Sequence, residues 1–301
     1  MSICAIVVTY KPDLEGLGRL LDALVPQVAS VVLVDNGSNV DLQAWNKARQ
    51  SNVDELFLLG ENKGIAAAHN VGIQWARNHR AEFVLLMDQD SIPMPDMVIR
   101  LRSAYTELRE SGVLIGALGP QYRDNDNGTL SKFVKIGVLG FTLLDCDPTS
   151  SAVEADFLVS SGSLLPLAAI ETVGLMDEGL FIDHVDIEWC LRAKAKGFRI
   201  FGVCDAVMTH TLGEQRKEIW FLRQRMVHFH HPFRYYYMFR NSMLLYRRSY
   251  IPWNWKLSDF ANRFKIVVLF SLIAPNRFAC LKMMALGLID GLKGVSGKRN
   301  E

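Results

Sequence analysis

The chain has 301 residues and lacks several features that mark common classes of protein. Its five cysteines are scattered and include no Cys-x-x-Cys pair, which argues against a zinc cluster and predicts reduced thiols, as in a cytosolic protein. Its first residues have no basic segment and no cleavage signal, so we interpret them as a strand rather than a signal peptide. The most apolar segment, residues 266–274, contains one polar residue, Ser271, and is too short to cross a bilayer.

A small net charge of +1 hides a strong asymmetry along the chain. Residues 1–209 contain 17 Lys and Arg against 27 Asp and Glu, a net charge of −10. Residues 210–301 contain 16 against 5, a net charge of +11. This split predicts two parts with different neighbours: a domain over residues 1–213 and a basic, helical region over residues 214–301.

The basic region also contains apolar and aromatic segments, which a purely solvated tail would not have. Apolar helical faces flanked by cations suit a helix that lies on an anionic membrane surface, and we expect this region to bind one. The alternative is that these helices pack in the core or against another subunit.

Short apolar segments alternate with helical patterns in the first 90 residues. Strand-like runs lie at 3–10, 30–36, 55–60 and 82–88, with helical patterns between them at 13–25, 41–50 and 64–79. This alternation predicts an α/β fold with a parallel sheet and helices on both of its faces. Further along, the patterns indicate a mixed β region at about 114–160, a helix at 184–196, two short strands that end at His210, and helices from about 214.

Small polar or acidic residues end three of the predicted strands, at the edge where ligands of parallel sheets bind. These ends are Thr9-Tyr10, Asp35, and the pair Asp88 and Asp90. The segment that begins at Asp35 suits either a tight turn or a carboxylate that binds a base or a ribose hydroxyl. Asp88 and Asp90 suit either an acidic turn or a site for Mg²⁺ or Mn²⁺, which prefer oxygen ligands.

Two later segments carry further candidates. Residues 61–76 open a helix with small side chains that would let a nucleotide approach closely, and Gly72 interrupts this helix although alanine would suit it better. Asp183, Asp186 and Glu188 come at the start of another helix. They either complement the helix dipole or supply a base that takes a proton from an attacking hydroxyl.

The order of these motifs resembles that of the family 2 glycosyltransferases, which have the GT-A fold, a Rossmann-like mixed sheet flanked by helices. The resemblance covers about residues 3–250 and rests on the joint occurrence of VVTY, VDNGS, NKGIAAAHNVGI, MDQD and DxxDIEWCLRAKAKG. Within the family, the segments FIDHVDIEWCLR and YYYMFRNSMLL make the chain look most like bacterial rhamnosyltransferases that use dTDP-L-rhamnose.

The resemblance implies a role for each candidate residue. The nucleotide-sugar site would be formed by strand ends and by the segment that opens the third helix: Thr9, Tyr10, Asp35, Asn62, Gly64, Asn70 and Asp88. A divalent cation, Mg²⁺ or Mn²⁺, would be bound by Asp90 and His210.

Asp186 matches the position of the family's general base. Many members have Glu-Asp where this chain has Val185-Asp186, so Asp183 and Glu188 stay open as alternative proton acceptors. The implied reaction is an inverting transfer of L-rhamnose from dTDP-L-rhamnose onto a hydroxyl of a cell-surface glycan or glycolipid precursor. It would take place at the cytoplasmic face of the inner membrane, and a nucleic-acid partner is not expected.

Other functions fit the residues less well. The alternatives closest to a rhamnosyltransferase are a transferase that uses a UDP- or GDP-linked sugar and an inactive scaffold of the same fold. A pyrophosphorylase or an NAD-dependent dehydrogenase would need a glycine-rich loop directly after the first strand, and residues 9–20 offer only a poor one. A processive polysaccharide synthase would need a Gln-x-x-Arg-Trp motif, which the chain lacks.

Overall fold

A computed structural model describes residues 1–124, 128–137, 140–147, 151–210, 216–221, 223–228, 231–273 and 276–299. At 210, 216–221, 223–228, 272 and 273 it describes the backbone but not the side chains. The strands are β1 (Ile3–Thr9), β2 (Ser30–Asp35), β3 (Glu55–Leu58), β4 (Phe83–Asp88), β5 (Ser91–Pro93), β6 (Ile115–Asp124), β7 (Phe133–Ile136), β8 (Phe141–Leu144), β9 (Ala152–Ala155), β10 (Leu164–Pro166), β11 (Arg199–His210), β12 (Arg216–Phe221) and β13 (Arg223–His228). The α-helices are α1 (Leu14–Leu24), α2 (Leu42–Arg49), α3 (Ile65–Asn78), α4 (Met97–Glu110), α5 (Leu167–Val173), α6 (Val185–Ala195), α7 (Pro232–Tyr246), α8 (Trp253–Ile273) and α9 (Arg277–Lys293).

The main sheet of the described residues has nine strands and mixed direction. Its order is β3-β2-β1-β4-β10-β6-β11-β5, and β9 pairs with β11 off this path. β1 to β4 are parallel, whereas β10 runs antiparallel between β4 and β6. The prediction of an α/β fold is therefore confirmed, with a sheet that is parallel from β3 to β4 and mixed beyond β4, where β6 and β11 are again parallel.

The sheet separates two hydrophobic cores, because successive side chains of a strand point to opposite faces. Along β1, Ile6 belongs to one core and Val7 to the other. α3, α5 and α6 cover the first face, and α1 and α4 cover the second. The helices predicted at 13–25 and 41–50 begin at aspartate caps, since Asp13 and Asp41 accept backbone amides of the first turns of α1 and α2.

Two expectations about the second half of the chain are wrong. The two strands expected before His210 are one long strand, β11, whose pairing with β6 shifts register between Val203 and Val207. Helices do not begin near residue 214, because β12 and β13 pair as a hairpin and α7 begins at Pro232. Strand pairing depends on partners that are remote in sequence, so the local pattern did not reveal either feature.

Cys146 and Cys204 form a disulfide, with their Cα atoms 5.6 Å apart. The expectation of reduced thiols is therefore wrong for this pair, whereas Cys4, Cys190 and Cys280 are free and buried. The two bonded cysteines are 58 residues apart in sequence, and they meet near the point where β9, the strand after Cys146, pairs with β11. The argument from reduced thiols to a cytosolic compartment no longer holds.

The C-terminal helices α7, α8 and α9 pack around an aromatic core of their own. Its buried members are Tyr235, Phe239, Phe270, Cys280 and Met284. Within the described ranges, no helix is both long enough and apolar enough to cross a membrane. A helical C-terminal region is confirmed, and the domain boundary at residue 213 stays a prediction.

Gly72 lies inside α3 because this helix packs closely on β1. A Cβ atom at Gly72 would lie 2.3 Å from Cγ2 of Ile6, well inside van der Waals contact. Packing therefore overrides the helix propensity, which favours alanine over glycine by about 1 kcal/mol.

We expect Gly72→Ala to lower the free energy of unfolding by about 1–3 kcal/mol, because the added methyl group overpacks the contact with Ile6. Urea unfolding followed by circular dichroism measures this change. In an Ile6→Ala background, which removes the side-chain atoms that the methyl group meets, Gly72→Ala should be neutral or stabilising. An equal loss in both backgrounds would show that the contact with Ile6 is not the reason for the glycine.

Candidate active site

The carboxyl ends of β2, β1 and β4 lie side by side, as the sequence predicts. Thr9 at the end of β1 pairs with Asp35 in β2, and Val8 pairs with Asp88 in β4. The hydroxyl of Thr9 donates to Oδ1 of Asp35 at 2.9 Å, and the amide of Ser38 donates to Oδ2 at 2.8 Å. The Asp35 carboxylate is therefore held in one orientation at this edge of the sheet.

Amide side chains shape the loop that leads into α3. Oδ1 of Asn62 accepts from Nδ2 of Asn36 at 3.1 Å and from the amide of Gly64 at 3.0 Å. Gly64 has a φ of +91°, and a Cβ atom there would lie 2.5 Å from the carbonyl oxygen of Phe181. The loop before α3 therefore lies directly against the acidic loop before α6, and only glycine fits at this contact.

Tyr10 and Asn70 lie in different surroundings. The Tyr10 side chain is exposed, and its backbone amide donates to Oε1 of Gln89 at 2.7 Å. Asn70 is buried, and its Nδ2 donates to the carbonyl of Met176 at 3.0 Å and to Oε1 of Glu178 at 2.8 Å. Tyr10 is thus accessible beside the strand ends, whereas Asn70 ties α3 to the segment before α6.

A cavity of about 640 Å³ lies between the carboxyl edge of the sheet and the C-terminal helices. Residues of α3, β4, β6, α6, α7, α8 and the loop before α6 contribute to its lining, among them Ile65, His69, Asp88, Tyr122, Ile182, Asp183, His184, Asp186, Arg234, Met238, Trp255, Asp259, Asn262 and Arg263. The cavity brings the acidic residues of two predicted motifs together with side chains of the basic region.

Two arginines of the C-terminal helices neutralise part of the acidic lining. Arg234 of α7 donates to Oδ1 of Asp183 at 2.7 Å. Arg263 of α8 donates to Oδ1 of Asp259 at 3.0 Å, and its Nη2 lies 3.2 Å from Nε2 of His184. Asp183 and Asp259 are therefore paired before any ligand binds.

Asp88 and Asp186 line the same cavity without an ion pair to any described residue. Burial raises the pKa of Asp88 to about 7, together with the neighbouring charges of Asp90 and Asp186. Burial also raises the pKa of Asp186, although its carboxylate accepts the amide of Ile187 at 2.8 Å. Two partly desolvated carboxylates in one cavity are typical of sites that bind a cation or move a proton.

Backbone pairing brings the two predicted metal ligands, Asp90 and His210, to one corner of the sheet. Asp90 is exposed in the turn after β4, and His210 pairs with Ser91, the next residue. The side chain of His210 lies outside the described part of the structure. Among the side chains that are described, no group of three or more His, Cys, Asp and Glu could hold a metal ion. Metal coordination by Asp90 and His210 therefore stays a prediction.

Glu188 is buried, does not line the cavity, and is surrounded by donors. Its carboxylate accepts from Nε of Arg192 at 2.8 Å and from the hydroxyl of Tyr250, and it lies 3.1 Å from Nη1 of Arg248. These contacts hold α6 against the C-terminal region. Of the three candidate bases, only Asp183 and Asp186 face the cavity.

Comparison with known proteins decides the family. Residues 4–157 match the family model described as Glycosyl transferase family 2. The chain belongs to glycosyl transferase family 2. This glycosyltransferase is 30% identical to the dTDP-rhamnosyl transferase RfbF of Shigella flexneri over 297 residues, which cover 98% of this chain and 97% of RfbF. It is 25% identical to Agl10, a low-salt glycan biosynthesis hexosyltransferase of Haloferax volcanii, over 68% of this chain and 66% of Agl10.

Solved structures have the same fold as this glycosyltransferase. S. aureus TarS 1–349, in complex with UDP-GlcNAc, matches with a TM-score of 0.60 at 17% identity, over 98% of this chain and 82% of that one. GalNAc-T7 with UDP, GalNAc and Mn²⁺ matches with a TM-score of 0.57 at 15% identity, over 70% of this chain and 44% of that one. At these identities the likeness concerns the fold, and the expected GT-A fold is confirmed.

Several residues in the cavity of the glycosyltransferase carried no sequence signal. His69 lies in α3 and is buried, its ring nitrogens have no partner among the described residues, and burial lowers its pKa to about 4. Arg234, Asp259 and Arg263 belong to helices whose local pattern predicts only amphipathic packing. The motif YYYMFRNSMLL indicated that α7 matters, but its sequence does not show which side chains reach the cavity.

Proposed function

We propose that this glycosyltransferase moves L-rhamnose from dTDP-L-rhamnose onto a hydroxyl of a cell-surface glycan or glycolipid precursor, with inversion at the anomeric carbon. The donor is suggested by the identity to the dTDP-rhamnosyl transferase of Shigella flexneri along nearly the whole chain. The reaction type rests above all on one observation. The carboxylate of Asp186 faces the cavity that also contains Asp88, and among the described residues no lysine or arginine forms an ion pair with Asp186.

The nucleoside diphosphate would bind along the strand ends. Thr9, Tyr10 and Asp35 lie where a base and a ribose would contact β1 and β2, and Asp35 is already oriented by Thr9. Asn62 and Gly64 would bring the loop before α3 close to the diphosphate. Asn70 would act behind this loop, since its side chain holds α3 in place.

Asp186 is proposed as the general base. As the acceptor oxygen attacks the anomeric carbon, Asp186 would take its proton on the face opposite the leaving nucleoside diphosphate, so that a β-linked donor gives an α-L-rhamnoside. Its raised pKa makes it a better proton acceptor than an ordinary aspartate. Asp183 is less suited to this role because Arg234 already binds it.

Asp90 and His210 are proposed to bind a divalent cation, Mg²⁺ or Mn²⁺, with Asp88 beside it. The carboxylates fit such a group: burial, and after it the charges of Asp90 and Asp186, raise the pKa of Asp88, and a cation would compensate the buried negative charge. Hard cations prefer carboxylate oxygens and share their coordination with substrate phosphates. When bound, the cation would neutralise the negative charge of the leaving diphosphate.

We also propose that α8 and α9 bind the cytoplasmic face of the membrane. Trp255, Asp259 and Arg263 of α8 line the cavity. Exposed apolar residues recur every three to four positions on another face of α8: Trp253, Leu257, Phe260, Phe264 and Val268. Exposed cations accompany these helices and would bind anionic headgroups: Lys265, Arg277, Lys282 and Lys293. Such contact would bring the active site to a membrane-embedded acceptor.

Assays with a panel of nucleotide sugars test the donor and the cation together. We expect transfer from dTDP-L-rhamnose, stronger inhibition by dTDP than by UDP or GDP, and loss of activity in EDTA that Mg²⁺ or Mn²⁺ restores. Asp90→Ala should lose nearly all activity while it keeps its circular dichroism spectrum, and the exposed Glu110→Ala is the matched control. Equal inhibition by UDP would reject the donor, full activity of Asp90→Ala in metal-free buffer would reject the cation, and no transfer from any donor would favour an inactive scaffold.

Asp186→Asn should lower kcat by about 10²–10⁴-fold, because the variant cannot accept the proton. Its affinity for dTDP, measured by calorimetry, should stay close to that of the wild type. Asp183→Asn should lose less activity, and Glu188→Gln should instead lose about 3–5 kcal/mol of folding stability because it breaks a buried ion pair. A larger kcat loss in Asp183→Asn than in Asp186→Asn would move the base to Asp183.

Phe260→Ser with Phe264→Ser should weaken sedimentation with vesicles that contain phosphatidylglycerol, since these side chains are 58% and 64% exposed. High salt should release the wild type from the vesicles. Each cationic side chain contributes about 1 kcal/mol at an anionic surface, and salt screens this attraction. The control is Ile99→Ser with Leu114→Ser, which changes two side chains that are each 53% exposed elsewhere. If the wild type stays in the supernatant at low salt, α8 and α9 are packing helices and the membrane proposal is wrong.

A further inference from the structure

The loop directly before the helix that carries the proposed base has an unusual backbone. Phe181, Asp183 and His184 have φ values of +64°, +63° and +64°, in the left-handed region that side chains disfavour. α6 begins directly after His184, and Asp186 is its second residue. The orientation of Asp186 therefore depends on a backbone that surrounding contacts must hold in this conformation.

Asn241 of α7 supplies several of those contacts from one side chain. Its Nδ2 lies 3.0 Å from the carbonyl oxygen of Leu180, 2.8 Å from that of Ile182 and 2.9 Å from that of Asp183. Asn241 is fully buried, so no solvent competes for these carbonyl groups. The two N–H groups of this amide are thus shared among three carbonyl groups of the loop, which is about sixty residues away in sequence.

Arg240 holds both the loop and Asn241. Its Nη2 donates to the carbonyl oxygens of Gly179 at 3.1 Å and Leu180 at 2.9 Å, and its Nε donates to Oδ1 of Asn241 at 3.0 Å. The guanidinium is buried, and within the described residues it has no carboxylate partner. A buried positive charge needs hydrogen-bond acceptors to replace water. The loop carbonyl groups supply these acceptors, and Arg240 in turn holds the loop in place.

The same loop contacts the proposed nucleotide site. The carbonyl of Phe181 accepts the amide of Ile65 at 2.8 Å, at the start of α3, and Gly64 packs against Phe181. A change in the loop would therefore alter the separation between the leaving group and the proposed base.

We infer that Asn241, oriented by Arg240, is a positioning residue for catalysis. It holds residues 179–184 in the conformation that directs Asp186 into the cavity and keeps the loop against the start of α3. The inference deepens the proposed function and rests on it, because it assumes that Asp186 is the base.

Asn241→Asp tests the inference with little change in volume. The variant still accepts from Arg240 but no longer donates to the three loop carbonyl groups. We expect kcat for transfer to fall about 10²-fold, as for a misplacement of about 1 Å, while the affinity for dTDP stays within about twofold. Hydrogen exchange at the amide of Ile65 should become faster, because the carbonyl of Phe181 moves.

Leu101→Ala is the matched control, since Leu101 is fully buried in the core on the other face of the sheet. It should lower the melting temperature but leave kcat unchanged well below that temperature. If Asn241→Asp does not fold, Asn241→Ser carries the test, and its single hydroxyl should recover part of kcat relative to Asn241→Ala. If none of these variants folds while Leu101→Ala does, the residue serves global stability and the positioning role is rejected.

Two further outcomes separate the inference from the function on which it rests. Wild-type kcat in a folded Asn241→Asp, or an equal kcat loss in Leu101→Ala, would overturn the positioning role while transfer itself stands. If the wild type transfers no sugar, the proposed function fails. Independently of activity, an unchanged rate of hydrogen exchange at the amide of Ile65 in Asn241→Asp would show that Asn241 does not hold the loop.

Discussion

Ion pairs between the acidic and the basic parts of the chain are the interaction on which the site depends. They connect the C-terminal region to the segments before α3 and α6 and to α6 itself. The pairs are Arg234 with Asp183, Arg248 with Asp177 and Glu188, and Lys298 with Glu61. The charge asymmetry of the sequence therefore serves internal contacts as well as any outside surface, and the basic region is part of the cavity wall.

Ion pairs between and within the two parts determine which negative charges stay available to a ligand. Asp183, Asp259 and Glu188 are each bound by an arginine, so their negative charge is compensated inside the protein. Asp88 and Asp186 lack such a partner among the described residues, and burial raises the pKa of both. A divalent cation that binds with the donor, and a proton taken from the acceptor hydroxyl, would compensate the negative charge of these two carboxylates. The carboxylates of this cavity therefore differ in whether an arginine compensates their charge.

The N-terminal half of the fold could be predicted because its signals are local. Apolar strands that end in Thr9, Asp35 and Asp88 are adjacent in a parallel sheet, so the residues at their carboxyl ends meet. The second half could not be predicted in the same way. β10 inserts antiparallel between β4 and β6. β12 pairs with β13, although the local pattern favoured helices from about residue 214. Such pairings are decided by side chains that come together only in the folded chain.

The sequence by itself determined the strand ends, the start of α6 and the family, because each is written in contiguous residues with a recognisable pattern. Only the tertiary structure decided that Arg234 and Arg263 reach the cavity, that Glu188 is not free to act as a base, and that Asn241 holds the loop before Asp186. These features depend on the packing of α7 and α8 against residues 179–188, about sixty to eighty positions away in the chain. The local pattern of a helix shows which of its faces is apolar, but the packed fold decides what each polar side chain contacts.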